Sequence, residues 1–177
     1  MRLSRLFLAV FAWLALQLVA CGYRPLRSGL DGRPRIRIVH AIVRAPAGAS
    51  VSVGDEAELG ARGELARYGA LADEDGPDVE RLTLEIVRVD ERSEGAMVLD
   101  GPGFGKPLAR GVRLRVTARG DLEGHGTPFT TSEFDAVEVV AASSEDVLGW
   151  ETARAAAIRT AARKAGAMVA REVLGLP

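Results

Sequence analysis

The thiol of Cys21 is the first group that could do distinctive chemistry, because Cys21 is the only cysteine in 177 residues. A positively charged start with Arg2 and Arg5 and an apolar run at residues 6–19 precede it. These features predict a secretory signal peptide, and the apolar run is too short to span a bilayer comfortably. The chain is therefore expected to leave the cytoplasm with its single thiol beside the cleavage site.

Residues 18–21, Leu-Val-Ala-Cys, resemble the lipobox of bacterial lipoproteins. The resemblance implies that a diacylglycerol alkylates the Cys21 thiol, that cleavage occurs before this cysteine, and that the new amino terminus is acylated. Several acyl chains would hold the protein on a membrane almost irreversibly. In that family an Asp after the cysteine favours the inner membrane, so Gly22 implies the inner leaflet of a Gram-negative outer membrane. The alternative is a free thiol or an intermolecular disulfide.

Basic residues around a predicted strand form the second group with chemical potential. Arg113, Arg115 and Arg119 are expected to share one strand face, and Lys106 and Arg110 lie just before them. Arginine binds phosphates and carboxylates through charge-assisted, often bidentate hydrogen bonds, so this face is a candidate site for an anionic ligand. The alternative is a solvated outer sheet face on which nearby acids neutralise the arginines, namely Glu85, Glu133 and Glu138.

Residue types that are common in active sites and metal sites are present, but they do not have the spacing that such sites require. His40 and His125, the two histidines, are predicted on a strand and in a Gly-His-Gly turn, without acids or thiols at metal-ligand spacing. Residues 101–107 superficially resemble a phosphate loop but lack its first glycine and its magnesium-binding Ser or Thr. The acids at 73–75 lack calcium-loop spacing and an apolar pocket. We therefore expect no enzymatic activity and no cofactor beyond a covalent lipid on Cys21.

Composition and the positions of Pro and Gly predict the kind of core and the boundaries of the domain. The formal net charge is −1, and 47% of the residues are hydrophobic but only 5% are aromatic. This balance gives no global attraction for nucleic acid. It also predicts a core of aliphatic side chains. The predicted boundaries are a signal peptide at 1–20, a lipidated cysteine and Pro/Gly-containing tether at 21–34, and a single domain at 35–177.

Alternating apolar residues predict the strands that would position these groups. In the first strand, Ile36, Ile38 and Ile42 are expected to be buried, with Arg35 and Arg37 on the opposite face. The predicted strands span 35–43, 82–89, 111–119 and 129–140, the last with a bulge. Loops and turns are predicted between them at 73–78, 91–107 and 120–126.

Helical periodicity predicts two helices. The first spans 55–72, begins near Ser52 or Asp55, and places Ala61, Leu65, Tyr68 and Ala72 on one face. The second ends the chain, and its apolar stripe consists of Trp150, Ile158, Ala162, Ala165, Val169 and Val173. The order β-α-β-β-β-α predicts an α+β fold in which two helices pack on one face of a mixed four-stranded sheet with a polar opposite face.

The start Cys21-Gly22-Tyr23-Arg24, the Ile-rich first strand, the element order and the Ala/Arg-rich final helix together resemble the LPS-assembly lipoprotein family, the E component of the Lpt pathway. The resemblance implies a non-enzymatic outer-membrane lipoprotein on the periplasmic side. Such a protein plugs the LPS-translocon β-barrel, helps the barrel to assemble, and binds lipopolysaccharide through basic residues. The implied partners are the barrel, lipopolysaccharide and the outer membrane, not nucleic acid. The alternative is a lipid-anchored periplasmic adaptor or regulator of a cell-envelope synthase that does not bind lipopolysaccharide.

Overall fold

A computed structural model describes residues 35–44, 52–97, 109–124, 128–142 and 147–176. The predicted signal peptide, Cys21, the tether, Lys106 and His125 lie outside these residues. The described elements are β1 (Ile36–Val43), α1 (Ser52–Arg67), β2 (Glu80–Met97), β3 (Ala109–Glu123), β4 (Phe129–Thr130), β5 (Phe134–Ala142) and α2 (Val147–Val173). The predicted α+β fold and its element order are confirmed. Neither described helix contains the long apolar stretch that a membrane crossing requires.

The sheet is mixed, as predicted. β1 pairs parallel with β2, β2 pairs antiparallel with β3, and both β4 and β5 pair antiparallel with β3. The last predicted strand, expected to contain a bulge, is instead divided into β4 and β5 by residues 131–133. Thr131 donates its backbone N–H to the Gly120 carbonyl, and its hydroxyl accepts the Gly120 N–H, each over 2.8 Å. Because α2 packs closely here, a Cβ on Gly120 would lie 2.6 Å from Val169.

The long hairpin of β2 and β3 extends beyond its predicted limits. The prediction of a loop from residue 91 is wrong, because β2 continues to Met97 and stays paired with β3, with a register shift between Ser93 and Ala96. Gly120 was predicted in a turn, but it lies inside β3 and is buried. The part of β2 from Glu91 to Met97, here called its outlying part, is exposed at residues 91–94. Backbone pairing therefore maintains the strand where side-chain alternation is absent.

A bulge changes which side chains of β1 enter the core. Ile36 and Ile38 are buried as predicted, but the register with β2 shifts between Ile38 and His40. The shift turns Ile42 away from the helices, so the prediction that Ile42 is buried is wrong, and its side chain is 38% exposed. Val43 instead packs against the core. One extra residue in one strand reverses the facing of every residue that follows it.

The first helix is shorter at its carboxyl end than its apolar pattern predicts. Ala61 and Leu65 are buried, but Tyr68 lies beyond the helix and is 43% exposed. Gly69 adopts a left-handed φ of 67°, and the Ala70 N–H donates to the Leu65 carbonyl over 2.8 Å. A glycine in this conformation turns the chain out of the helix. Backbone N–H groups at this turn then donate to the last carbonyls of the helix.

The two helices meet through glycines. A Cβ on Gly60 of α1 would lie 1.9 Å from the Arg163 carbonyl oxygen, and one on Gly166 of α2 would lie 2.0 Å from the Ala57 oxygen. The backbones therefore approach more closely than any side chain would permit. The predicted stripe of α2 is confirmed in its central part, where Ala162, Ala165 and Val169 are fully buried. Opposite them lie the apolar side chains of the sheet, including Leu82, Leu84, Ile86 and Val116.

Candidate functional site on the outer sheet face

The side of the sheet that faces away from both helices is called the outer sheet face. On β3, the side chains of Val112, Leu114 and Val116 are buried on the helix side. Because successive side chains of a strand point to opposite sides, Arg113 and Arg115 lie on the outer sheet face, and so does Arg119 further along β3. The predicted shared face of these arginines is therefore confirmed.

Arg119 is held by a buried carboxylate. Its Nε donates to Glu85 Oε2 over 2.9 Å, and its Nη2 lies 2.8 Å from the same oxygen. Arg44 Nε lies 2.9 Å from the other oxygen of Glu85, whose side chain is 5% exposed. The hydrogen bond and the charge of Glu85 raise the pKa of Arg119 above its ordinary value. Because the buried Glu85 would keep only the exposed Arg44 as a partner if Arg119 moved, Arg119 serves the fold rather than an exchangeable ligand.

Arg113 and Arg115 have partners that are more accessible. Arg113 pairs with Glu94 of β2, and Arg115 Nη1 lies 3.5 Å from Asp135 Oδ2 of β5. Thr117 also donates its hydroxyl to Asp135 over 2.6 Å. Exposed ion pairs of this kind are worth about 0–1 kcal/mol. A multiply charged ligand can therefore displace these carboxylates at low cost.

Arg92 completes this region and was missed by the sequence reasoning, which placed it in a loop. In the register of the long hairpin, Arg92 of β2 lies directly opposite Arg113 of β3. Its side chain is exposed, and no carboxylate of the described residues forms an ion pair with it. Like charges at directly opposed positions destabilise a strand pair. We call Arg92, Arg113 and Arg115 the distal arginine group.

Other charged residues from the sequence analysis have structural partners. Arg37 of β1 pairs with Asp75, and Arg81 Nε lies 3.3 Å from the second oxygen of that carboxylate. Glu138 was expected to neutralise the outer sheet face, and this is wrong. It points to the helix side, where Lys164 of α2 lies 2.5 Å from it. Glu133 does raise the pKa of Arg119, as the weakest of the charges acting on it.

The remaining candidates are only partly described. Arg110 lies in β3 with its backbone paired to Ala142, but its side chain is outside the described part, and Lys106 and Cys21 lie outside it entirely. His40 is exposed on β1. Within the described ranges, no cluster of His, Cys, Asp or Glu is arranged to hold a metal ion. The guanidinium groups on the outer sheet face are of a kind that can bind anions.

No protein-family profile and no curated protein sequence matches the chain. Among solved structures, similar ones include a minor lipoprotein from Acinetobacter baumannii, with 15% identity, a TM-score of 0.44 and coverage of 84% of this chain and 92% of that chain. Another is the rare lipoprotein B from Shewanella oneidensis, with 9% identity, a TM-score of 0.45 and coverage of 77% and 92%. A third is a putative lipoprotein from Caulobacter crescentus, with 15% identity, a TM-score of 0.37 and coverage of 75% and 84%. These neighbours are bacterial lipoproteins.

Proposed function

We propose that this chain is a non-enzymatic outer-membrane lipoprotein that plugs and helps to assemble the LPS-translocon β-barrel and assists the insertion of lipopolysaccharide. One combined observation carries the proposal. A sequence at residues 18–21 that resembles a lipobox precedes a predicted tether and a domain whose element order, β-α-β-β-β-α, is the order on which the resemblance to the LPS-assembly lipoproteins rests.

The distal arginine group supplies the chemistry for lipopolysaccharide. The phosphates of lipid A and the acidic core sugars are multiply charged, and a guanidinium fork binds such groups through two parallel hydrogen bonds. Arg92 and Arg113 lie opposite each other, so one phosphate between them would relieve their repulsion. The exposed pairs of Arg113 with Glu94 and of Arg115 with Asp135 would exchange for the ligand.

The predicted lipid anchor would bring the domain close to a barrel partner. A tether at residues 21–34 would confine the domain to the inner surface of the outer membrane. Confinement raises the effective concentration of the domain near any protein embedded in the same membrane. Among the described residues neither helix covers the outer sheet face, and contact with the lumen of a barrel would use this face.

The first experiment tests the barrel. The mature protein is extracted from detergent-solubilised outer membranes, and the proteins that come with it are identified. We expect a stable one-to-one complex with a large outer-membrane β-barrel, and we expect this barrel to fail to mature when the chain is depleted. Normal barrel assembly and normal surface lipopolysaccharide in the depleted strain would contradict the proposal.

The second experiment tests lipopolysaccharide binding. The double variant Arg113→Glu, Arg115→Glu should weaken binding in a salt-dependent manner. The matched control, Arg67→Glu with Arg159→Glu, makes the same change in net charge on the helices and should bind normally. Arg92→Glu is a further test, since it breaks no described ion pair. Unchanged affinity in both outer-face variants would restrict the role to barrel assembly.

The alternative function is a lipid-anchored adaptor or regulator of a cell-envelope synthase. One observation favours it, namely that Arg113, Arg115 and Arg119 are each already paired with a carboxylate. A neutralised face has no need of an anionic ligand. Recovery of a synthase instead of a barrel in the extraction experiment would establish this alternative.

A further inference from the structure

A cleft lies at the end of the sheet where β1 and β2 begin. It has a volume of about 560 Å³, which falls within the range of about 300–1,000 Å³ typical of binding pockets. Both apolar and charged residues line it, among them Pro77, Val79, Arg81, Glu123 and Pro128. We call it the proximal cleft. Such a lining suits an occupant that combines an apolar group with a charge.

Glu123 gives the proximal cleft a negative charge without a partner. In the register of the hairpin, Glu123 lies directly opposite Arg81, and both residues are exposed. The Arg81 side chain instead turns its Nε to Asp75 Oδ1, at 3.3 Å, and Asp75 also pairs with Arg37. No residue that the structure describes forms an ion pair with Glu123. A cation that entered the cleft would therefore meet a carboxylate with which it could pair.

The loop that forms one wall of the cleft carries further negative charge. Asp73, Glu74 and Asp78 are exposed, and none of them forms an ion pair within the described ranges. Exposed charges act over about 8 Å at physiological ionic strength. The rim would therefore attract a cation before it reaches Glu123.

The predicted tether enters the domain beside the proximal cleft. The carbonyl of Arg35, the first described residue, accepts the Glu80 N–H over 2.9 Å. Glu80 lies between Val79 and Arg81, which both line the cleft. Two strand spacings separate β1 from Glu123 on β3, so the tether reaches the domain within about 10 Å of that carboxylate.

The sequence of the tether complements the cleft. Residues 21–34 contain three arginines and one aspartate, and Leu26 places an apolar side chain directly before Arg27. Arg27 precedes Arg35 by eight residues, which can span up to about 26 Å, more than twice the distance to Glu123. A segment linked so closely has an effective concentration in the millimolar range. Contacts that would be weak between separate molecules therefore suffice to fill the cleft.

We propose that Leu26 and Arg27 of the tether occupy the proximal cleft, with Leu26 against Pro77 and Pro128 and the Arg27 guanidinium on Glu123. If Cys21 is anchored as in the proposed function, docking shortens the free tether from about 14 residues to about five, which span at most about 17 Å. The domain would then be held close to the membrane with this end of the sheet toward it. Only this consequence rests on the proposed function, since the docking itself uses no lipid.

Trypsin measures how often Arg27 is released. Arg24 and Arg33 each precede a proline, where trypsin does not cut, so cleavage within the tether reports on the bond after Arg27. The rate follows the fraction of molecules in which this bond is accessible, so docking slows it. In the mature protein in detergent, Glu123→Gln should raise the rate at least about threefold. The matched control, Glu151→Gln, removes the same charge from an exposed position of α2 and should leave the rate unchanged.

Salt gives a second comparison on the same proteins. Raising sodium chloride from about 50 to about 500 mM screens the pair of Arg27 with Glu123, so the wild-type rate should approach that of Glu123→Gln at the same salt. Equal rates in the wild-type chain and Glu123→Gln, an equal rise in the control, or a ratio of rates that salt does not change would overturn the proposal. A chain that shows the expected rates but has no lipid on Cys21 would refute the anchor and retain the docking.

Discussion

Substitution of Gly60 by alanine should destabilise the domain, although alanine is the better helix former. In an ordinary helix interior, replacing glycine by alanine stabilises by about 1 kcal/mol. At Gly60 the new Cβ would lie 1.9 Å from the Arg163 carbonyl oxygen, well short of the 3.4 Å of ordinary contact. A backbone oxygen cannot rotate away as a flexible side chain can. The helices must therefore separate by about 1.5 Å, which removes a large part of the packing energy along their contact.

The magnitude follows from these two opposing effects. Overpacking of a well-packed core costs about 1–3 kcal/mol, and a clash with backbone belongs at the upper end of that range. After subtraction of the gain in helix propensity, Gly60→Ala should lower the free energy of unfolding by about 2 kcal/mol. A domain of this size is stable by only about 5–15 kcal/mol, so the loss should be easily measured.

The matched control is Gly63→Ala in the same helix. A Cβ on Gly63 would meet nothing within 4 Å, so this substitution should stabilise by up to about 1 kcal/mol. Urea unfolding of both variants, followed by far-UV circular dichroism, should place their free energies of unfolding about 3 kcal/mol apart. If the two alanines shift the urea midpoint equally and in the same direction, the close approach of the helices does not exist in solution.

Three further predictions concern the core, the buried carboxylate and the anchor. Val169→Asp places an unpaired charge in the core and should cost several kcal/mol in urea unfolding, whereas the exposed Arg159→Asp should cost far less; equal tolerance would show that α2 is not packed on the sheet. Glu85→Gln leaves two arginines without their counter-charge and should cost about 1–2 kcal/mol by the same assay, and a loss near zero would show that these ion pairs do not stabilise the fold. Cys21→Ser should leave an uncleaved precursor without lipid, which mass spectrometry detects, because a hydroxyl does not replace the thiolate nucleophile; a wild-type chain with an unmodified amino terminus, or one cut elsewhere, would refute the lipoprotein assignment.

The elements with regular alternation could be predicted from the sequence. At residues 112–119 of β3, aliphatic residues alternate with polar ones without interruption, so the strand and the common face of Arg113, Arg115 and Arg119 follow directly. The stripe of α2 could be predicted for the same reason. The outlying part of β2 could not, because both of its faces meet solvent and no burial imposes a pattern. Arg92 was therefore assigned to a loop.

Features that depend on pairing between distant segments could not be predicted from the sequence either. Ile42 continues the period of Ile36 and Ile38, and only the register with β2 reveals that a bulge has reversed its facing. The partners of Glu85 and Glu138 depend on which strand lies beside which helix, and sequence spacing contains no such information. Glycines lower the helix propensity of α1, whereas at Gly60 the missing side chain is what lets α2 approach.

The ion pairs around β1 connect both ends of this strand to its neighbours in the sheet. If Cys21 anchors the chain in a membrane, any pull on the domain enters through the tether and is applied first to β1. Arg37 near the beginning of that strand is tied through Asp75 to Arg81 of β2, and Arg44 just beyond its end is tied through Glu85 to Arg119 of β3. Both ends of the loaded strand are thus fastened to neighbouring strands. The first strand would have to slide along the sheet and break both attachments before the pull could unravel the core.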